Sequence, residues 1–392
     1  MKKTFDEVVL FARTGLNPRQ NFKLGQGKNK YITIKNIKNN TLVVDDNTDV
    51  VDDDAIKLIH KRSQIKKGDI LFASIGRMGD MYIIEKEPVG WDINESVFAF
   101  TLNTNIVRQK YFYYIFKVKS TLDYLASNSS GSTFKSIKMN QLKRMVFDIP
   151  SLKEQDSIIT ILDKVCNVIE TRKRELGSLG ELIKVRFVEM FGNPVANDMG
   201  WDTLPLENIC KAIVDCPHST PSYTNEDTGF MCIRTSIVKK NKILWDDIEY
   251  ISEDEFAKRI QRKKPEIGDI VYTREGAILG IAAIIDRDCN VALGQRSMLL
   301  SPDIDKCTSE FLCVAMNSDS FLDNALRGVS GSASPHINVA DIKAFKMIMP
   351  PVELQNQFSD FVKQVDKSKV AIQTALDKSQ LLFDSLMQKY FG

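Results

Sequence analysis

The sequence predicts an α+β protein: two tandem α/β domains separated by two long helices that form an antiparallel coiled coil, pseudo-two-fold symmetric. Three observations predict it. The stretch from Pro150 to Gly192 carries an apolar seven-residue repeat. The same stretch is written again from Pro350 to Gly392. The segments ahead of each copy alternate as short strands.

The first long stretch opens with a helix-start signal. Ser151 is followed three residues later by Glu154, a pair that can cap each other's backbone N–H groups. Leu162, Ile169, Leu176, Ile183 and Met190 then recur every seven residues, with Ile158, Ile161, Val165 and Val168 beside them. Such rows mark a long helix with a seam for another helix. Gly192, with Pro194 just beyond, is a stop signal. At 1.5 Å per residue the helix is about 60 Å long, more than one wall of an ordinary core requires. Gly177 and Gly180 fall inside it, where each costs about 1 kcal/mol relative to Ala; close helix packing or a bend is the expected reason.

The second copy opens at Pro350-Pro351-Val352-Glu353-Leu354-Gln355. Gln355 lies 200 residues after Gln155, Val365 after Val165, and Phe391-Gly392 after Phe191-Gly192. Phe358, Val365, Ile372 and Leu386 share one row, which Ser379 breaks.

The 392 residues are enough for two domains with cores of their own. A 43% hydrophobic and 27% charged composition is that of a soluble globular protein. The formal net charge of +2 announces no nucleic-acid partner, so any such site must consist of local patches. The N-terminal residues Met1 to Glu7 carry no signal-peptide core, and the longest apolar run, Ala277 to Ile285, is too short to span a bilayer. Seven cysteines without a Cys-x-x-Cys pair, and three histidines, argue against zinc and for reduced thiols of a cytoplasmic protein.

Residues 1–150 form one α+β domain. Lys30 to Ile34 alternates as a strand, and Val50 to Lys61 could be a short helix. Ile65 to Ala73 is a turn feeding a strand. Met81 to Ile84 and Ser96 to Phe100 are two more strands. Tyr111 to Leu125 has helical spacing, Asn128 to Thr133 is a loop, and Leu142 to Ile149 is a last strand. Residues 193–350 repeat the plan: Gly268-Asp269-Ile270 answers Gly68-Asp69-Ile70, and Ser330-Gly331-Ser332 answers Ser130-Gly131-Ser132. Domain boundaries are therefore expected at 1–150, 151–192, 193–350 and 351–392.

No catalytic pattern stands out. A phosphate-binding Gly-rich loop ending in Lys and Ser or Thr is missing. Gly76-Arg77-Met78-Gly79 lacks dinucleotide spacing. Met349-Pro350-Pro351-Val352 lacks the leading polar residue and the aromatic residue that a base-flipping methyltransferase would use. Asp69, Glu85 and Glu87 could be imagined as a nuclease metal site, but the repeat puts Ile285 and Arg287 where the two glutamates stand. Binding features are better represented. Lys28, Lys30, Lys35 and Lys38 surround Tyr31, followed by Arg77 and by Lys135 and Lys138. The second half has Arg234, Lys239 and Lys240, then the run from Lys258 to Lys264, then Arg274 and Arg296. Lys and Arg provide phosphate contacts, and Arg can fork onto guanine. A solvated charged surface is the plainer reading of any single one.

The whole arrangement resembles the specificity subunit of type I restriction–modification enzymes. The Gly-Asp-Ile turns, the Gly-Ser loops at Gly131 and Gly331, the Pro-x-x-x-x-Gln helix starts at Pro150 and Pro350, and the Phe-Gly-Asn-Pro stop at Phe191 to Pro194 carry the resemblance, joined by Asp215-Cys216-Pro217-His218-Ser219-Thr220-Pro221. It implies a non-catalytic reader of double-stranded DNA, in which 1–150 and 193–350 are target-recognition domains for two halves of a split target. It implies two modification (methyltransferase) subunits docked on the helices at Leu162, Ile169, Leu176, Ile183, Phe358, Val365 and Ile372, and restriction/translocase subunits besides. S-adenosylmethionine, ATP and Mg would belong to those partners, none to this chain. The DNA-contacting set expected is Lys28, Lys30, Tyr31, Lys35, Lys38, Arg77, Lys135 and Lys138 in the first domain, and His218, Arg234, Lys239, Lys240, Arg274, Arg296 and His336 in the second. The competing readings are a coiled-coil scaffold for proteins, and an atypical methyltransferase or nuclease acting alone.

Overall fold

The computed structural model describes residues 1–38, 41–131, 134–327 and 335–392. The loop expected at Ser330-Gly331-Ser332 lies outside them, as does Ser132 of its counterpart. Residues Met1–Thr171 with Leu376–Gly392 make one compact unit, and Arg172–Ala375 make the other.

In the first unit a four-stranded antiparallel sheet runs in the order Val9–Thr14, Val97–Leu102, Ile70–Ala73, Met81–Ile83. A second sheet sets Asn29–Ile32 between Val50–Val51 and Trp91–Ile93, parallel to the latter. Strand Ile70–Ala73 is a continuous apolar run because it is buried along its whole length. Phe72, Phe100, Phe112 and Phe116 form the centre of the core on one face, and Ile32, Leu71, Ile93 and Ala99 that on the other. The helical stretch expected at Tyr111 to Leu125 is two helices, Gln109–Ile115 and Lys119–Ser127. The strand expected from Leu142 shrinks to Val146–Asp148, which pairs with Lys2–Thr4.

The second unit repeats this order, with one more strand, Tyr223–Thr224, at the edge of its second sheet. Cys210–Asp215, Ser297–Pro302, Ile270–Thr273 and Ala282–Ile284 form its antiparallel sheet, and Met231–Ile233 lies parallel to Val291–Leu293. The two Gly-Asp-Ile turns have one construction. Gly68 (φ +87) and Gly268 (φ +89) hold a left-handed conformation that glycine adopts without penalty. The carboxylates of Asp69 and Asp269 then accept from the backbone N–H three residues earlier, at Lys66 (3.1 Å) and Glu266 (3.0 Å).

Two helices of 40 residues, Leu152–Phe191 and Val352–Phe391, are the longest elements. They pack together. In the first unit Leu162 shares a buried cluster with Phe383, Leu386 and Met387. In the second, Phe187 and Phe191 stack edge-on against Phe358, and the Arg172 guanidinium donates to the Ala375 carbonyl. Close packing does not explain the central glycines: a Cβ added at Gly177 or Gly180 meets nothing within 4 Å. Nor does either interrupt the helix. Among the described residues no helix is long and apolar enough to cross a membrane.

Candidate nucleic-acid interface

In the first unit the structure gathers four of the expected cations at one edge. Lys35 lies in the turn Ile34–Asn36 and Lys38 in the hairpin that follows, both exposed. Arg77 donates from Nη2 to the Ile37 carbonyl (2.9 Å) and pairs with Asp80 (3.5 Å), which ties its turn to that hairpin. The Gly76 N–H donates to the Lys135 carbonyl (3.1 Å), which brings exposed Lys135 alongside. Lys138 is exposed ahead of the short helix Met139–Leu142, and exposed Lys28 lies near Asp53, whose carboxyl it helps to lower after the Asn29 amide.

Two residues of the expected set do other work. Tyr31 is buried, its hydroxyl donates to the Leu16 carbonyl (2.7 Å), and its ring meets Phe22 edge-on. It offers no face on which a base could stack. Its strand lies between two neighbours, so the residue that lysines flank in sequence points inward. Lys30 is half-buried and donates to the Asp45 carbonyl (3.1 Å).

The second unit separates support from surface more sharply. Arg274 is buried and grips Asp215 with two hydrogen bonds, Nε to Oδ1 at 2.9 Å and Nη2 to Oδ2 at 3.3 Å. A guanidinium held in this fork is not available to DNA. His218 lies 3.1 Å from the same carboxylate through Nε2. Arg234 pairs with Glu249 and covers the Tyr223 ring; Lys240 pairs with Asp319 at 2.8 Å; exposed Lys239 donates to the Ser236 carbonyl at 2.9 Å. His336 bridges to Glu275 across an isolated backbone pair. Arg296 is exposed, with Nε 3.8 Å from Glu275. Two cations of the run from Lys258 to Lys264 are spent internally: buried Arg259 donates to the Leu293 and Ser219 carbonyls, and Lys263 pairs with Asp269 at 3.0 Å; Lys258, Arg262 and Lys264 stay exposed.

Gln295 and Thr220 were not in the expected set. Thr220 donates from its hydroxyl to Gln295 Oε1 at 3.0 Å, beside Arg296. The signal was available in Gly294-Gln295-Arg296, a turn entering a strand, but its partner lies 75 residues away.

The expected docking row also shifts. Leu162, Ile169, Ile183, Phe358 and Val365 are buried within this chain, and Leu176 and Ile372 are half-buried. The correction has a simple cause: an apolar row that repeats every seven residues is spent on intramolecular packing. The apolar side chains left exposed on the long helices include Val185, Val188, Leu381 and Leu382.

Among the described residues no group of His, Cys, Asp or Glu could hold a metal ion. Burial pushes the thiols of Cys210 and Cys232 up to about 12, which makes them poor nucleophiles.

Comparison with known proteins gives the same direction. The model of the type I restriction modification DNA specificity domain matches residues 1–179 and 199–380. The MjaIX specificity subunit of Methanocaldococcus jannaschii is 25% identical over 343 residues, covering 82% of this chain and 76% of that one. The crystal structure of a type I restriction–modification S subunit from M. genitalium superposes with a TM-score of 0.57 at 15% identity, covering all of this chain and 96% of that one. A structure from work on complex assembly and conformational transition of the type I system gives 0.55 at 17% identity, covering 99% and 96%. The chain belongs to the type I restriction–modification DNA specificity family, as a non-catalytic specificity subunit.

Proposed function

We propose that the chain reads a bipartite DNA target, with 1–150 and 193–350 as two recognition domains that each read one half, and that it scaffolds the subunits that act on the DNA. The observation that carries this reading is a duplicated frame with divergent edges. The sheets repeat in the same order at an offset of about 200 residues, while the exposed cations differ between the copies. A conserved frame with altered edges is what two readers of different sequences need. The long helices would form an antiparallel coiled coil, supported by the contacts of Phe187 with Phe358 and of Arg172 with Ala375 in one unit, and of Leu162 with Met387 in the other. The 200-residue repeat supports a pseudo-two-fold relation.

Two modification subunits would dock on the exposed apolar side chains of the long helices, with restriction/translocase subunits joining them. S-adenosylmethionine, ATP and Mg would be held by those partners. Seven free thiols suit a reducing, cytoplasmic setting.

The test is a graft. Replacing residues 193–350 with those of a relative, in a host that carries the partner subunits, is expected to change one half of the methylated motif and leave the other. A change in both halves, or in neither, refutes independent reading.

A further inference from the structure

The geometry points to the dipeptide Gln295-Arg296 as the base-reading element of the second unit, with Arg296 recognising a guanine and Gln295 an adenine on the major-groove edge of one half-target. This rests on the reading that the chain recognises DNA, and names the residues that do it.

The backbone gives the first indication. Arg296 has φ +73, a left-handed conformation that a side chain rarely adopts. The turn is locked from both sides. The Gly294 N–H donates to the Ile233 carbonyl (2.8 Å), the Arg274 N–H to the Arg296 carbonyl (3.1 Å), and the Cys216 N–H to the Ser297 carbonyl (3.3 Å). Strain that its surroundings over-determine is a mark of a functional position. The equivalent residue of the first unit, Ser96, is not left-handed. The copies differ here in sequence too: Glu95-Ser96 stands where the second unit has Gln295-Arg296.

The side chains give the second. The Arg296 side chain is 48% exposed and lies over Gly276, with Nη1 3.6 Å from where a Cβ would stand. Glu275, 3.8 Å from Nε, orients it from behind. Among the described residues only Nε is paired, so the Nη edge can meet a planar pair of acceptors, which guanine O6 and N7 provide. Gln295 is fixed by Thr220, whose hydroxyl occupies one lone pair of Oε1. Its Nε2 donors and second lone pair match adenine N7 and N6.

The loop that carries Thr220 is held by three arginines. Arg274 forks onto Asp215, Arg262 donates to the Asp215 carbonyl (3.1 Å), and buried Arg259 donates to the Ser219 carbonyl (2.7 Å). These bonds pre-organise a reader that would otherwise lose entropy on binding.

The test uses the full chain assembled with its modification subunits. The complex is incubated with unmethylated bacterial genomic DNA and S-adenosylmethionine, and methylated adenines are sequenced. Arg296→Gly removes the guanidinium and suits the left-handed backbone, so it keeps the fold. It is expected to relax one position of one half-target and to slow methylation of the original motif by roughly 5- to 150-fold, the worth of one forked base contact. Gln295→Ala is expected to relax a different position in the same half. A wild-type motif that both variants retain, at an undiminished rate, overturns this assignment alone. So does an Arg296→Gly complex that loses affinity equally for all DNA, because the contact is then to phosphate. A wild-type complex that binds DNA without selecting any motif overturns the recognition reading itself.

Discussion

Gln155, at the start of the central long helix, donates from Nε2 to the carbonyl of Ile106 at 2.8 Å, 49 residues back in the chain. The same amide donates to the Pro150 carbonyl (2.9 Å) and accepts from the Arg108 N–H (2.8 Å). Gln355 repeats the set on Lys306 (3.2 Å), Pro350 (2.9 Å) and Thr308 (3.0 Å). Both glutamines are fully buried. Each therefore clamps the first turn of a long helix to the loop before a helix of its recognition domain. Gln155→Leu preserves volume but leaves two carbonyls and an N–H without partners in a partly buried site. Each such group costs about 1–3 kcal/mol, and partial relaxation makes the expected total about 3 kcal/mol. Urea unfolding of the purified chain measures it. A loss under about 1 kcal/mol would show that water replaces the clamp.

Gly177 and Gly180 give a prediction of opposite sign. Both are helical, and a Cβ at either would enter open space. Gly177→Ala and Gly180→Ala should each stabilise the chain by about 1 kcal/mol, through helix propensity alone. Thermal unfolding checks this; a fall in midpoint for either variant would mean that the glycine serves a bend or a neighbour in the assembled complex.

Asp69 supplies the pH dependence. Its Oδ1 accepts from the Thr101 hydroxyl at 2.6 Å, and Oδ2 from the Lys66 N–H and from Arg13. Burial raises its carboxyl above the ordinary range, and outweighs the lowering by Thr101 and Arg13. The folded value then exceeds the unfolded one, so the folded state holds the proton more tightly. Between those two values, stability rises as pH falls, and it is lost as pH climbs through the folded value. Asp69→Asn cannot titrate. The wild-type chain should gain stability relative to it as pH is lowered from 7 into the range just above ordinary carboxylates, with a slope of at most about 1.4 kcal/mol per pH unit. Urea midpoints for both proteins at several pH values give the difference; parallel curves would exclude a raised carboxyl.

What the sequence made legible was periodic or duplicated. The seven-residue rows placed both long helices to within a residue or two, and the 200-residue echo marked the Gly-Asp-Ile turns and the Pro-x-x-x-x-Gln starts. It could not say what Gln155 was for, because its partners Ile106 and Arg108 lie in another element. The same limit governs the site. Tyr31 sits among lysines in sequence, yet its strand is sandwiched and the ring goes inward. Arg274 looked like any surface arginine until the fold set Asp215, 59 residues away, against it. Single charges carry no address; which are spent on internal pairs depends on contacts that only the folded chain creates.

The long helices carry the last prediction, which separates folding from assembly. Ile183 is buried in the core of the second unit, whereas Val185 and Val188 on the same helix are 63% and 56% exposed. A charge at Ile183 would be buried without a partner, so Ile183→Asp should cost more than about 3 kcal/mol and lose partner binding only by unfolding. Val185→Lys meets Glu181 and Glu189 one turn away on either side, and Val188→Glu meets Lys184, so both suit the helix. The double variant Val185→Lys with Val188→Glu should keep its circular dichroism spectrum and urea midpoint. If these valines meet a modification subunit, burying two charges there should weaken co-purification by at least tenfold. Undiminished assembly of the folded double variant would place the docking surface elsewhere, with Leu381 and Leu382 of the C-terminal helix, both exposed, as the next pair to charge.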